Sequence, residues 1–168
     1  MQILTPKNPL TTTLFKALDE IDENWRDYEG IICTGSWPGA DDEEFINNNI
    51  TIVRDAKDRK VPYLGLCLGM QMLAMSEGCQ LKKLDTIRQG IYEVFGKPES
   101  HWHQFIVTGD FPKYQIEKNG EIVEYMRLKN HPFFVGVQYH PEVQSSLGSP
   151  HPLLKEFINV CKTDAKRN

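Results

Sequence analysis

The chain has 168 residues, 40% hydrophobic and 25% charged, which excludes a predominantly disordered protein. Its net charge of −4 comes from 19 Lys and Arg against 23 Asp and Glu, which disfavours a general nucleic-acid binder. No apolar run approaches the ~20 residues needed to cross a bilayer, so no membrane association is expected, and residues 1–6 show no secretory leader.

The length fits one domain over residues 1–168. Cys33, Cys67, Cys79 and Cys161 form no C-x-x-C pair and match no zinc spacing. A chain of this size has no need of disulfides, so a reduced, cytoplasmic protein is expected. No internal repeat or low-complexity stretch interrupts the sequence.

In chain order, residues 30–35 are a short apolar run ending in glycine and read as a buried strand. Residues 41–60 carry Phe45, Ile46, Ile50, Val53 and Ala56 at helical spacing behind an acidic start. Residues 61–66 are a second apolar strand, and residues 68–76 a helix apolar nearly all round. Residues 80–97 have no clear period. Residues 105–107, 122–128 and 133–138 read as strands. Residues 121–128 alternate as a half-exposed strand does. Pro152 opens a last helix with Leu153, Leu154, Phe157, Ile158 and Cys161 on one stripe. Strands alternating with helices predict an α/β layered domain with a mostly parallel sheet and a later antiparallel excursion.

The most informative segment is Gly65-Leu66-Cys67-Leu68-Gly69, between a predicted strand and a predicted helix. G-x-C-x-G is the cysteine counterpart of the nucleophile elbow. Such a turn strains the backbone of its central residue, and the flanking glycines make room for it. The thiol then projects at the C-terminal edge of the sheet, where ligands bind in open α/β folds. The N-terminus of the next helix favours negative charge there, and the Leu68 N–H is available to an oxyanion. Taken alone, the pattern also fits a buried structural cysteine.

A thiol nucleophile needs a base and a group that orients the base. Gln138-Tyr139-His140-Pro141-Glu142 offers His140 as the base, with Glu142 two residues on to accept from the far ring nitrogen.

Together, Pro62-Tyr63-Leu64-Gly65-Leu66-Cys67-Leu68-Gly69-Met70-Gln71 and the run from His131 to Glu142 resemble the class I, triad-type glutamine amidotransferases. The closest likeness is to the glutaminase domain of CTP synthase, over residues 28–160, and Ser149-Pro150-His151-Pro152-Leu153-Leu154 continues it. The resemblance implies an open, flavodoxin-like, mostly parallel sheet with helices on both faces. It implies that Cys67, His140 and Glu142 form a catalytic triad acting on glutamine or a related γ-glutamyl compound. The oxyanion donors would be Leu68 and the loop containing Gly35 and Ser36, and Gln71, His103 and Gln104 would lie at the substrate. No cofactor or metal is expected, although His101 and His103 point the same way along a strand and invite the question. Ammonia would pass to a separate synthetase subunit, since the chain holds no P-loop and no acceptor domain.

Three departures from the family pattern stand out. Gly35-Ser36 replaces a common Gly-Gly. Gln104 replaces an arginine that grips the glutamine carboxylate. The N-terminus is shortened, with one strand expected at residues 2–4, one helix at 12–21, and a whole β-α unit missing. Three functions therefore remain open: a glutaminase subunit, a hydrolase of another γ-glutamyl amide, and a silent amidotransferase-like regulatory or interaction subunit. Trp37 and Trp102 lie on segments expected to border the site, where they would shape the substrate.

Overall fold

The computed structural model describes residues 2–3, 16–17, 29–35, 39–146 and 148–164. Strand β1 (Gln2–Ile3) pairs antiparallel with β2 (Lys16–Ala17). The helix expected over residues 12–21 is therefore corrected at Lys16 and Ala17, and the rest of that stretch lies outside the described residues.

The main sheet runs through β3 (Ile31–Cys33), β4 (Tyr63–Leu66), β9 (Phe134–Val137), β8 (Ile122–Leu128) and β7 (Tyr114–Asn119), adjacent in that order. Strands β3, β4 and β9 are parallel, and β8 and β7 continue antiparallel. All residues of β3, β4 and β9 are buried, as suits parallel strands covered on both faces. Alternation sends Ile31, Cys33, Tyr63 and Phe134 into a core with helices α1 (Glu43–Asp58) and α2 (Leu68–Ser76). The intervening Ile32, Leu64, Leu66, Val135 and Val137 pack in a second core with Leu153, Phe157 and Cys161 of helix α3 (Pro152–Asp164). The expected layered α/β architecture, with a mostly parallel sheet and helices on both faces, is thus present.

The acidic start of α1 is a working cap. The Asp42 carboxylate accepts from Phe45 N at 2.8 Å, and Glu43 and Glu44 occupy the first turn. Asn49, a poor helix former, ties its amide back to the Phe45 carbonyl at 2.7 Å.

Two stretches differ from expectation. Residues 80–97, without a clear period, hold strand β5 (Gln80–Val94), and the short strand at 105–107 grows into β6 (Lys97–Thr108). The two form a long hairpin whose turn residues Phe95 and Gly96 both have positive φ, a turn geometry that matches strand twist. Exposed β5 has a mostly solvent-facing composition, so no core period marks it. The half-exposed pattern expected at 121–128 is also corrected. Glu124 is fully buried between buried Val123 and half-buried Tyr125, because His101 of β6 and Arg88 of β5 close over it.

Candidate active site

The turn from β4 into α2 places Cys67 at φ 51° and ψ −102°, a left-handed conformation that a residue with a side chain adopts only under strain. Several contacts hold it there. Cys67 N donates to the Val137 carbonyl at 2.8 Å, and the Tyr63 hydroxyl donates to the Gly69 carbonyl at 2.9 Å. Leu68 opens α2, so its N–H has no partner within the helix. The glycines serve close approach. A Cβ on Gly65 would meet the Gly69 carbonyl carbon at 2.5 Å, and one on Gly69 would run into the Cys33 carbonyl. Gly69→Ala should therefore destabilise the fold by about 3 kcal/mol. A loss of that size lowers Tm by roughly 6–12 °C in a chain of this length, which thermal unfolding by circular dichroism measures.

His140 follows β9, which lies beside β4, and its backbone N–H donates to the Ser100 carbonyl at 2.8 Å. Its Nδ1 is 2.7 Å from Glu142 Oε1. Nε2 is buried without a hydrogen bond and lies beside Cys67, whose sulfur is one of the groups that raise the imidazole. Gly35 completes this corner: a Cβ there would lie 3.1 Å from His140 Cε1 and 3.8 Å from Cys67 Cβ. Burial disfavours a charged His140, but the Cys67 sulfur and the Glu142 carboxylate outweigh it and raise the imidazole to about 10. The arrangement keeps His140 protonated beside the Cys67 sulfur, with the Glu142 carboxylate at its other ring nitrogen. Cys33, by contrast, is buried and its thiol pushed up to about 11, so it stays neutral.

The sulfur opens into a cavity of about 350 Å³. Its described lining includes Gly35, Leu68, Gln71, His103 and Gln104. Ser36 and Trp37 lie outside the described residues. Trp102 and Ile87, both largely exposed, form part of the rim. Gln71 is buried, with its amide nitrogen given to the Phe105 carbonyl at 2.9 Å. The Gln104 amide donates to the Leu84 carbonyl at 3.2 Å. His101 Nδ1 and His103 Nε2 are 3.2 Å apart, a hydrogen-bond separation. Among the described residues, no group of three or more His, Cys, Asp or Glu is placed to hold a metal ion.

Residues 7–160 match the model of the family "Glutamine amidotransferase class-I". The chain belongs to the class I glutamine amidotransferases. It is 27% identical to the CTP synthase of Clostridium acetobutylicum, over 86% of this chain and 36% of that protein. With the CTP synthase of Christiangramia forsetii it shares 30% identity over 70% of this chain and 31% of that protein. The chain thus spans about a third of the length of these curated relatives. Its fold is like that of a Trypanosoma brucei CTPS glutaminase domain with bound acivicin, at a TM-score of 0.68 and 17% identity, covering 81% of this chain and 72% of that one. A glutamine amidotransferase from Thermotoga maritima superposes at a TM-score of 0.59 and 20% identity, over 88% and 68% of the two chains.

This amidotransferase domain has site groups that the sequence reading did not single out. Gln138 is fully buried, its Nε2 3.7 Å from Cys67 Sγ and its Oε1 3.4 Å from Gln71 Nε2. The Trp102 carbonyl lies 3.6 Å from the same sulfur. A polar side chain directly after a continuous apolar strand was the available signal for Gln138. The Trp102 carbonyl left none, because a backbone group carries no sequence mark. Gln138→Met should lower kcat/KM for the amidotransferase's substrate by roughly tenfold, since a donor to the sulfur is lost. Steady-state kinetics beside a melting curve would separate this from simple unfolding.

Proposed function

We propose that this chain hydrolyses the side-chain amide of glutamine and delivers the ammonia to a separate synthetase. The observation that carries this reading is the strained Cys67 facing a His140 whose other nitrogen is bound to Glu142. The Cys67 thiolate attacks the amide carbon, and the oxyanion is received by the Leu68 N–H and by the loop that begins at Gly35. His140 then gives its proton to the departing nitrogen as the C–N bond breaks, leaving a γ-glutamyl thioester and ammonia. The same imidazole, now neutral, takes a proton from water as it attacks the thioester, which releases glutamate and restores the thiolate–imidazolium pair. Glu142 keeps the His140 ring oriented throughout. The likeness to CTP synthases supports an ammonia-consuming partner of the synthetase class, with this domain as the ammonia source.

Purified protein supplied with glutamine should release glutamate and ammonia in equal amounts. Absence of both, in a folded sample whose Cys67 also resists a glutamine-like chloroketone, would remove the proposal.

One observation favours a second reading. No lysine or arginine lines the cavity among the described residues, and the Gln104 side chain is turned to the Leu84 carbonyl. A free α-carboxylate therefore meets no guanidinium fork there. That suits a γ-glutamyl amide whose α-carboxylate is itself blocked. A panel of γ-glutamyl compounds compared by kcat/KM would decide between the readings, glutamine leading in the first and a blocked amide in the second.

A further inference from the structure

Glu142 orients His140, and something must in turn hold Glu142. Its Oε1 meets His140 Nδ1, and its Oε2 has no hydrogen-bond partner among the described residues. The carboxylate is therefore aimed by the backbone that carries it, in the loop between β9 and α3. Apolar packing does little for this loop. Val143 is largely exposed, and of the described residues between 141 and 150 only Pro141 is buried.

A ring of hydrogen bonds holds the loop to strand β6. Glu99 Oε1 is 3.0 Å from His151 Nε2. The His151 backbone N–H donates to Ser145 Oγ at 2.8 Å, and that hydroxyl donates to the Pro141 carbonyl at 3.0 Å. Pro141 is joined to His140, whose backbone N–H donates to the Ser100 carbonyl at 2.8 Å. Ser100 adjoins Glu99, so the ring closes on two consecutive residues of β6. Glu142 lies within its span, and its carbonyl accepts from the Ser145 N–H at 3.3 Å.

Hydrogen bonding alone assigns the proton between Glu99 and His151. The Leu153 N–H can only donate, and it gives its proton to His151 Nδ1 at 3.2 Å. Nδ1 is thus a lone pair, so Nε2 carries the ring proton and donates it to Glu99. Glu99 is 3% exposed, and its Oε2 has no hydrogen-bond partner among the described residues, so no second bond on that side chain competes with His151. Neither Glu99 nor His151 is among the described residues lining the cavity.

We propose that Glu99 and His151 are positioning residues: their hydrogen bond clasps the loop to β6 and so keeps the Glu142 carboxylate on His140. The bond from His140 to Ser100 fixes the histidine backbone independently. Cutting the clasp therefore leaves His140 beside Cys67 and lets its carboxylate drift. The consequence for catalysis rests on the glutaminase reading, whereas the positioning itself does not.

Three variants of the whole chain test this. Glu99→Leu removes the acceptor. His151→Asn loses the reach to Glu99 but keeps a side-chain oxygen able to cap the start of α3, which separates the clasp from the helix cap. Glu99→Gln removes the charge but keeps an oxygen for His151, which separates the bond from the charge. Nitrogen-15 NMR follows the pH at which the His140 ring loses its proton. The ionisable groups acting on that ring are Cys67 and Glu142, with His101 and His103 of β6 nearby. In Glu99→Leu and His151→Asn the midpoint should drop by about half a pH unit or more as the carboxylate moves off. In Glu99→Gln it should stay at the wild-type value. The kcat for glutamine should fall roughly tenfold in the first two variants with KM changed less, because neither residue reaches the substrate.

A midpoint unmoved in either Glu99→Leu or His151→Asn overturns the clasp. So does an equal drop in Glu99→Gln, or a wild-type His151 that carries its proton on Nδ1. If Glu99→Leu does not fold, His151→Asn and Glu99→Gln decide by themselves. Midpoints as expected in a protein that leaves glutamine intact would uphold the clasp and remove the glutaminase reading instead.

Discussion

Cys67→Ser is expected to abolish glutamine hydrolysis, with kcat falling by roughly 10⁴-fold or more. The size follows from the site. Cys67 is the group placed at the strained turn where the free N–H of Leu68, the cavity and His140 converge. A serine hydroxyl is far less acidic than a thiol, so His140 has no anion to pair with and the attack loses its nucleophile. The variant should fold normally, because a Ser hydroxyl fits the space of a thiol and the Cys67 backbone bond to Val137 remains. Ammonia release measured beside an unchanged melting temperature checks both halves. A second arm uses a glutamine-like chloroketone: mass spectrometry should find its label on Cys67 and not on Cys33 or Cys161. Those two thiols are also buried, but they lie in the cores among aliphatic and aromatic side chains, away from the cavity. Substantial turnover by Cys67→Ser would end the covalent mechanism.

The second large effect concerns charge on His140. Its imidazole is raised from 6.5 to about 10, with burial working against the rise and the neighbouring Cys67 sulfur and Glu142 carboxyl group producing it. A group whose folded value is raised stabilises the fold while it is protonated. That contribution is full below pH 6.5 and disappears as pH climbs through about 10. His140 ring signals in NMR should therefore report imidazolium at pH 8 and lose it only toward pH 10. Removing the sulfur in Cys67→Ala should bring the transition down by at least about one unit. Glu142→Gln removes the other anion and reverses the preferred hydrogen bond at Nδ1, because the amide can present a donor to a nitrogen that must itself donate. Its kcat should fall by roughly 10²–10⁴-fold. If His140 instead titrates near 6.5 and ignores both substitutions, it does not face a thiolate, and the proposed base is misassigned.

Much of this site is legible along the chain because its parts are local. G-x-C-x-G places the cysteine between a strand and a helix by short-range sterics: glycine is needed wherever another backbone comes within a carbon's radius, as Cys33 does at Gly69. His140 and Glu142 are two residues apart, so a proline-stiffened turn suffices to bring their side chains to 2.7 Å. The helix at 43–58 follows from its Asp42 cap and apolar stripe, that at 152–164 from an opening proline and its stripe, and that at 68–76 from a continuous apolar run, none of which needs knowledge of the rest of the molecule. The hairpin of β5 and β6 left no such mark. Its strands earn their pairing from each other and from one covered face, and charge and glycine along β5 hide any period. Glu124 shows the same limit more sharply. In an alternating strand an acidic residue reads as solvent-facing, and only a separate hairpin folding across the sheet makes it a buried acid.

Local order along the chain suffices for an α/β alternation, a cysteine at a strained strand-to-helix turn, and an imidazole with its own carboxylate. Those features depend on sterics and periodicity within a few residues. That the two halves meet is a product of long-range pairing, because β4 and β9 are far apart in the chain and become neighbours through a parallel register in which Leu66 faces Val137. Long-range packing also sets what stands around the sulfur: Gln138 just after β9 and the Trp102 carbonyl of β6 reach Cys67 from elements far along the chain, and contacts across a sheet follow register and packing, which no local pattern records.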